Sequence, residues 1–192
     1  MHLNKVTLLP EKFPSKDHYP FNLEFIQKTQ SLKFSSPVTF FVGENGSGKS
    51  TLLDAITRKC GVFKWQGMHR PRFNASPHEH DLYKTIEIEW NNGRVPGSFF
   101  GSQVFNNFAR ILDEWLTMDP GLLDYYGGKS LMAQSHGQSL MAFFESRFKI
   151  KGLYLLDEPE TALSPKSQLQ LLGLLNAMSQ AGHAQFIIAT HS

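Results

Sequence analysis

The sequence predicts an α/β fold with a mostly parallel sheet flanked by helices, plus a small antiparallel β excursion and an inserted helical segment. Three observations lead there. Pro37-Val38-Thr39-Phe40-Phe41-Val42, Gly152 to Asp157 and Ala184 to Thr190 are continuous apolar, β-branched runs, the pattern of strands buried on both faces. The first two lead through turns into helical spacing, as βα units do. Between the first run and its helix stands Gly43-Glu44-Asn45-Gly46-Ser47-Gly48-Lys49-Ser50, a glycine loop joining strand to helix.

The elements follow in order. Phe21 to Phe34 reads as edge strands, or a strand and turn, entering the Pro37 strand. Thr51 to about Cys60 is the first helix, with Leu52, Leu53, Ala55 and Ile56 apolar. Pro71, Pro77, Gly93 and Pro96 mark a change of character from Gly61 to Pro96, read as a small antiparallel excursion. Within it Lys84 to Trp90 alternates as a half-exposed strand, and Asn91-Asn92-Gly93 is a turn. Asn106 to Met118 is helical in spacing, Pro120 to Gly137 is loop-like, and Ser139 to Phe148 is a helix. Ser164 as N-cap before Pro165 opens the last helix, which Gly182 ends. A single domain over 1–192 is expected, its core formed by 1–60 and 149–192 with about 61–148 inserted.

Composition narrows the classes. A net charge of +2 over 192 residues makes no electrostatic case for nucleic acid. The 16 Phe residues predict an aromatic core. One cysteine, Cys60, allows no internal disulfide and reads as a packed thiol in a reducing compartment. No signal peptide is visible, since Met1 to Pro20 is polar and broken by Pro10, Pro14 and Pro20. No window reaches the roughly 20 apolar residues that a spanning helix needs. A cytoplasmic protein is the expectation, with no sign of membrane binding.

The glycine loop fits GxxxxGK[ST], and its chemistry follows from residue type. Gly43, Gly46 and Gly48 allow backbone N–H groups to converge on one anion. The helix that starts near Lys49 adds its positive end. Residues 43–51, Glu44, Asn45, Ser47 and Thr51 included, are therefore the candidate nucleotide-binding set. Lys49 is expected on the β- and γ-phosphates of ATP and Ser50 on Mg²⁺. The Gly152 strand delivers Asp157 and Glu158 at its C-terminal end, where α/β sheets bind ligands. Asp157 reads as the second metal residue and Glu158 as the group that polarises an attacking water.

Two further pieces, Ser135-His136-Gly137-Gln138-Ser139 before a helix and His191 after the last strand, complete an ordered set. The phrases FFVGENGSGKSTLL, QSHGQS, YLLDEPETALSP and FIIATHS resemble the ATP-binding-cassette (ABC) ATPase superfamily. They look more like its compact predicted ATPases, labelled AAA and related to the SMC and recombination-repair branch, than like transporter subunits. The resemblance implies a P-loop NTPase fold and an ATP-dependent homodimer. In it, each ATP lies between one phosphate loop and the other copy's signature segment, Ser135, His136, Gly137 and Gln138. It implies that His191 contacts the γ-phosphate and the attacking water, and that Gln103, the best candidate by position, helps at the metal. Catalytic roles thus fall to Lys49, Glu158 and His191.

Departures from the family pattern are specific. The signature ordinarily reads Leu-Ser-Gly-Gly-Gln, and here Gln134 and His136 replace the leucine and first glycine. After Ala162-Leu163 an Asp is usual, and Ser164 stands there. Only 84 residues separate Ser50 from Ser135, too few for a long coiled-coil rod. Relatives continue beyond the histidine, so a C-terminally truncated form, or a sheet edge that something covers, is expected. The leading expectation is an ATPase coupled to an unidentified protein partner. A nucleotide-gated module with little turnover uses the same loop, and a small-metabolite kinase would leave the signature, Glu158 and His191 without roles.

Overall fold

A computed structural model describes residues 1–65, 76–101 and 136–191. The Asn106 to Met118 helix, the loop up to residue 135, Gln103 and Ser135 lie outside the described residues. Two sheets organise the rest. Strands β3 (Val38–Val42), β4 (Phe63–Trp65), β6 (Gly97–Phe100), β7 (Gly152–Asp157) and β8 (Ala184–Thr190) form a parallel sheet in the order β3-β8-β7-β6-β4. Strands β1 (Leu3–Leu8), β2 (Ser31–Lys33) and β5 (Ile86–Trp90) form an antiparallel sheet in the order β2-β1-β5. The helices are α1 (Glu24–Lys28), α2 (Lys49–Cys60), α3 (His136–Arg147) and α4 (Pro165–Gln180).

The alternation of side chains along the central strands divides the core in two. Leu153 and Leu155 of β7, with Ile187 and Ala189 of β8, face α2 and the antiparallel sheet. Tyr154 and Leu156, with Phe186 and Ile188, face α3 and α4. Every residue of β7 and β8 is buried, which is why both read as largely apolar runs, with Gln185 the polar interruption in β8. Each such aliphatic side chain contributes roughly 1.5–3 kcal/mol when fully removed from water. The second face is aromatic: Phe100 lies edge-on to Phe143 at 5.6 Å and to Phe144 at 5.4 Å, and Phe148 meets Phe186 at 4.9 Å. The Tyr154 hydroxyl keeps partners inside it, 2.6 Å from the Ile150 carbonyl and 2.7 Å from that of Arg147.

One buried amide joins the two sheets. Gln185 of β8 accepts from the backbone N–H groups of His2 at 2.7 Å and Leu3 at 2.8 Å, and donates to the Leu3 carbonyl at 3.0 Å. Because a buried amide must find partners, this position ties the start of β1 to the sheet. Cys60 is buried at the end of α2, and burial pushes its thiol up to about 12, the state of a packed rather than a reactive cysteine.

The structure revises several details of the sequence reading. The Pro37 run is not buried on both faces, because β3 is the edge strand of the parallel sheet and leaves Phe40 and Val42 exposed. Phe21 to Phe34 is not a pair of edge strands. It holds the short α1, which buries Ile26, and only then the three-residue β2. The 61–96 segment is not wholly an excursion, because β4 joins the parallel sheet beside β6, and among its described residues only β5 pairs with the antiparallel strand β1. The alternating strand begins at Ile86, since Leu82–Thr85 closes into a 3₁₀ turn. By contrast, Ser164 accepts from the Ser167 N–H at 3.2 Å as the expected N-cap of α4. Gly182, with φ of 76°, follows the end of that helix.

Close backbone approach explains one glycine. A Cβ on Gly97 would lie 2.2 Å from the Leu153 carbonyl oxygen and 2.7 Å from Val62 Cγ1. Gly97→Ala is therefore expected to push β6 from β7 and to destabilise the fold by about 1–3 kcal/mol or more. Urea denaturation of the two proteins measures this, and an unchanged midpoint would contradict the packing argument.

Candidate functional site

Strand register brings the site together. Val42 lies opposite Thr190, and Asp157 lies opposite Ala189, so the C-terminal ends of β3, β8 and β7 form one edge. From β3 the chain enters Gly43–Gly48, where Gly46 and Gly48 adopt φ of 81° and 94°. Gly48 has a second constraint: a Cβ there would come within 2.5 Å of Leu23, the N-cap of α1, and 2.6 Å of Phe25 in its first turn. The first turn of α2 follows directly, with N–H groups that have no carbonyl partner within the helix. That combination favours an anion at this edge.

The charged groups of the loop have defined partners. Lys49 Nζ donates to the Gly43 carbonyl at 2.6 Å and to the Glu44 carbonyl at 2.8 Å, so its ammonium lies folded over its own loop. The Ser50 hydroxyl donates to Asp157 Oδ1 at 2.8 Å, joining α2 to the end of β7. The Thr51 hydroxyl meets the hydroxyl of Tyr19. Glu44, Asn45, Gly46, Ser47 and Ser50 are exposed.

Burial pushes the Asp157 carboxyl up to about 6, and the nearby charge of Glu158 adds to the effect, while the Ser50 hydrogen bond and the charge of Lys49 oppose it. A buried carboxylate that ionises reluctantly is stabilised by an added cation. Ser50 and Asp157 offer hard oxygen donors side by side, the donor type that Mg²⁺ takes. These residues therefore fit a magnesium ion.

Glu158 has φ of 51°, the one left-handed non-glycine residue among those described. Such backbone costs roughly 1–3 kcal/mol and persists only where its surroundings hold it. Here the Glu158 N–H donates to the Ala189 carbonyl at 2.9 Å, and Pro159–Ala162 closes at once into a 3₁₀ turn. The turn returns Glu160 to the end of β8. Glu160 Oε1 accepts from Thr190 Oγ1 at 2.5 Å and from the His191 N–H at 3.1 Å, and lies 3.2 Å from His191 Nδ1. Burial alone would raise the Glu160 carboxyl, but those hydrogen bonds and the His191 charge hold it below the usual range.

The fold thus places residues 43–51, Asp157, Glu158 and His191 along one edge. His136, Gly137 and Gln138 form the first turn of α3. Sequence reading missed Glu160 and Thr190. The available signal was a third carboxylate two residues after Glu158, which stays silent until the turn directs it.

A parallel sheet, a glycine loop opening a helix, and paired carboxylates on a neighbouring strand end define a P-loop nucleotide-binding domain. Comparisons with known proteins narrow the class. A family model described as "AAA domain" matches residues 21–64, and one described as "AAA domain, putative AbiEii toxin, Type IV TA system" matches 140–192. The manganese transport system ATP-binding protein MntA of Synechocystis sp. is 30% identical over 176 residues, covering 80% of this chain and 64% of that protein. The cobalt import ATP-binding protein CbiO of Salmonella paratyphi A is 27% identical over 192 residues, covering 88% of this chain and 67% of that protein. The chain thus spans about two thirds of the length of these relatives. The SMC head domain from Thermotoga maritima matches in fold with a TM-score of 0.50 at 18% identity, covering 100% of this chain and 90% of that one. With its fold and ordered motifs, the chain is an ABC-type P-loop ATPase domain. Among the described residues no helix is long and apolar enough to cross a membrane.

Proposed function

We propose that this chain is a Mg²⁺-dependent ATPase that closes around ATP as a homodimer and hydrolyses it, with a protein partner reading the state of the dimer. The observation that most supports this is the convergence of Lys49, the Ser50–Asp157 pair, Glu158 and His191 on three adjacent strand ends. The loop N–H groups and Lys49 bind the β- and γ-phosphates, with Lys49 exchanging its two carbonyl acceptors for phosphate oxygens. Ser50 and Asp157 would hold Mg²⁺, with Gln103 as a third candidate. When bound, the ion neutralises charge on the phosphate oxygens. Glu158 orients and polarises the attacking water, and His191 contacts the water and the γ-phosphate. Ser135, His136, Gly137 and Gln138 of the second copy close the site, with the N-terminus of its α3 directed at phosphate. Positioning and electrostatics then supply most of the catalysis.

The relatives named for manganese transport and cobalt import make a transporter one class of partner. A second reading, a nucleotide-gated module with little turnover, rests on His136 in the signature and Ser164 after Leu163. Glu158→Gln separates the two. It is expected to retain ATP, to lower phosphate release by roughly 10²–10⁴-fold, and to shift from monomer to dimer with ATP–Mg²⁺ in size exclusion with light scattering. A variant that binds ATP and stays monomeric contradicts the sandwich. Wild-type protein that dimerises with ATP but releases no phosphate establishes the module instead.

A further inference from the structure

We propose that Glu160 is a positioning residue that fixes the His191 ring through Nδ1 and leaves Nε2 as the nitrogen that faces the attacking water. This rests on the reading of His191 given above, and it assigns the carboxylate that orients the ring. Glu158 stands 3.9 Å from Nδ1, whereas Glu160 stands 3.2 Å from it, within hydrogen-bonding distance. The Glu160 side chain is only 14% exposed, against 38% for that of His191, so the anchored end is the carboxylate.

The same oxygen accepts from the Thr190 hydroxyl and the His191 N–H at the end of β8, and the ring Nδ1 lies 3.2 Å from it. The turn that carries it is itself braced. Thr161 donates twice to the Glu158 carbonyl, from its N–H at 3.2 Å and its hydroxyl at 2.8 Å. Gln168 of α4 donates to the Glu160 carbonyl at 3.3 Å and to that of Leu163 at 3.0 Å. The carboxylate is therefore held from α4 and the β7 end, and the ring follows it.

The consequence is chemical. The hydrogen bond made by one imidazole nitrogen determines which nitrogen carries the proton in the neutral ring. A carboxylate at Nδ1 places the proton there, so Nε2 presents its lone pair as an acceptor for a water proton. Carboxylates that orient metal-bound histidines fix the tautomer in this way, and losing one costs roughly 10–100-fold in metal affinity or activity.

The test uses the full chain labelled with ¹⁵N at histidine. Long-range ¹H–¹⁵N spectra of the neutral ring are expected to show the His191 proton on Nδ1 in wild type, and a shift toward Nε2 in Glu160→Ala. Glu160→Gln is isosteric, retains an acceptor for Thr190 and the His191 N–H, and guards against misfolding of the alanine variant. It is expected to weaken the preference for Nδ1 with an unchanged melting temperature. Turnover should fall about 10–100-fold in Glu160→Ala through kcat, with KM for ATP within about threefold of wild type. Spectra that show the same tautomer in all three proteins overturn the proposal, as does His191→Ala losing turnover while Glu160→Ala retains it. If instead His191→Ala leaves wild-type turnover intact, the role of His191 itself is wrong and the proposal falls with it.

Discussion

Lys49→Ala is expected to lower ATP turnover by about 10²–10³-fold, the cost of removing one preorganised donor from developing phosphate charge, and to weaken ATP binding as well. The ammonium is the one charged side chain that projects from within the glycine loop toward its own carbonyls, and its two acceptors are the backbone oxygens of Gly43 and Glu44. Phosphate oxygens would replace these one-sided charge-assisted contacts with ones in which both donor and acceptor are ionised. Without nucleotide the same substitution has little to disturb. It removes two hydrogen bonds in a partly exposed loop whose carbonyls can turn to water, a net cost of about 1 kcal/mol in all. Phosphate release, binding of a fluorescent ATP analogue and a thermal melt together check the prediction. Lost turnover with a melt lowered by only about 2–4 °C supports the phosphate role, whereas retained turnover means that Lys49 does not reach the nucleotide.

Asp157→Asn should raise the stability of the nucleotide-free protein above pH 6 while abolishing the effect of Mg²⁺. The sign follows from the two states. The Asp157 carboxyl titrates at its ordinary 3.8 when exposed and at about 6 when folded, mainly because it is buried. Between those values the folded chain binds the proton more tightly than the unfolded one, so stability falls as pH rises through that window. Above it the ionised carboxylate costs the fold about 3 kcal/mol, from roughly two pK units at 1.36 kcal/mol each. Glu160 and Asp54, whose carboxyls are held below their usual range, act in the opposite sense. Their contribution is present at higher pH and lost on acidification, so the difference between the wild-type and variant curves isolates Asp157. Denaturation of both proteins from pH 4 to 8 should show curves that separate as pH rises. ATP–Mg²⁺ should stabilise wild type at pH 8 and not the variant. Parallel curves would mean that Asp157 is better hydrated than its burial implies.

Stability is often traded for function at working sites, and the Asp157 carboxyl also shows what could be read from the sequence. The Ser50–Asp157 contact links residues 107 positions apart, yet both partners were legible. Each belongs to a local pattern: a glycine loop between strand and helix, and a carboxylate at the end of an apolar run. β7 and β8 were legible with their bounds, because strands buried on both faces leave no ambiguity of period. The 21–34 segment was not, since α1 has a single buried residue, Ile26, too little to impose a period. Strand β4 escaped for the same reason. Its three residues, Phe63–Trp65, owe their place to pairing with β6 rather than to any alternation of their own.

The sequence by itself determined the phosphate loop, the paired carboxylates and the parallel core. Glycine placement, helix start and apolar periodicity are properties of neighbouring residues. Tertiary structure alone decided that Gln185 would join the two sheets and that Glu160 would reach across to the end of β8. Those contacts bridge 182 and 31 positions respectively, and nothing in local spacing anticipates them. They exist because a buried amide or carboxylate must find partners, and the partners it finds are those that the packed strands bring within reach.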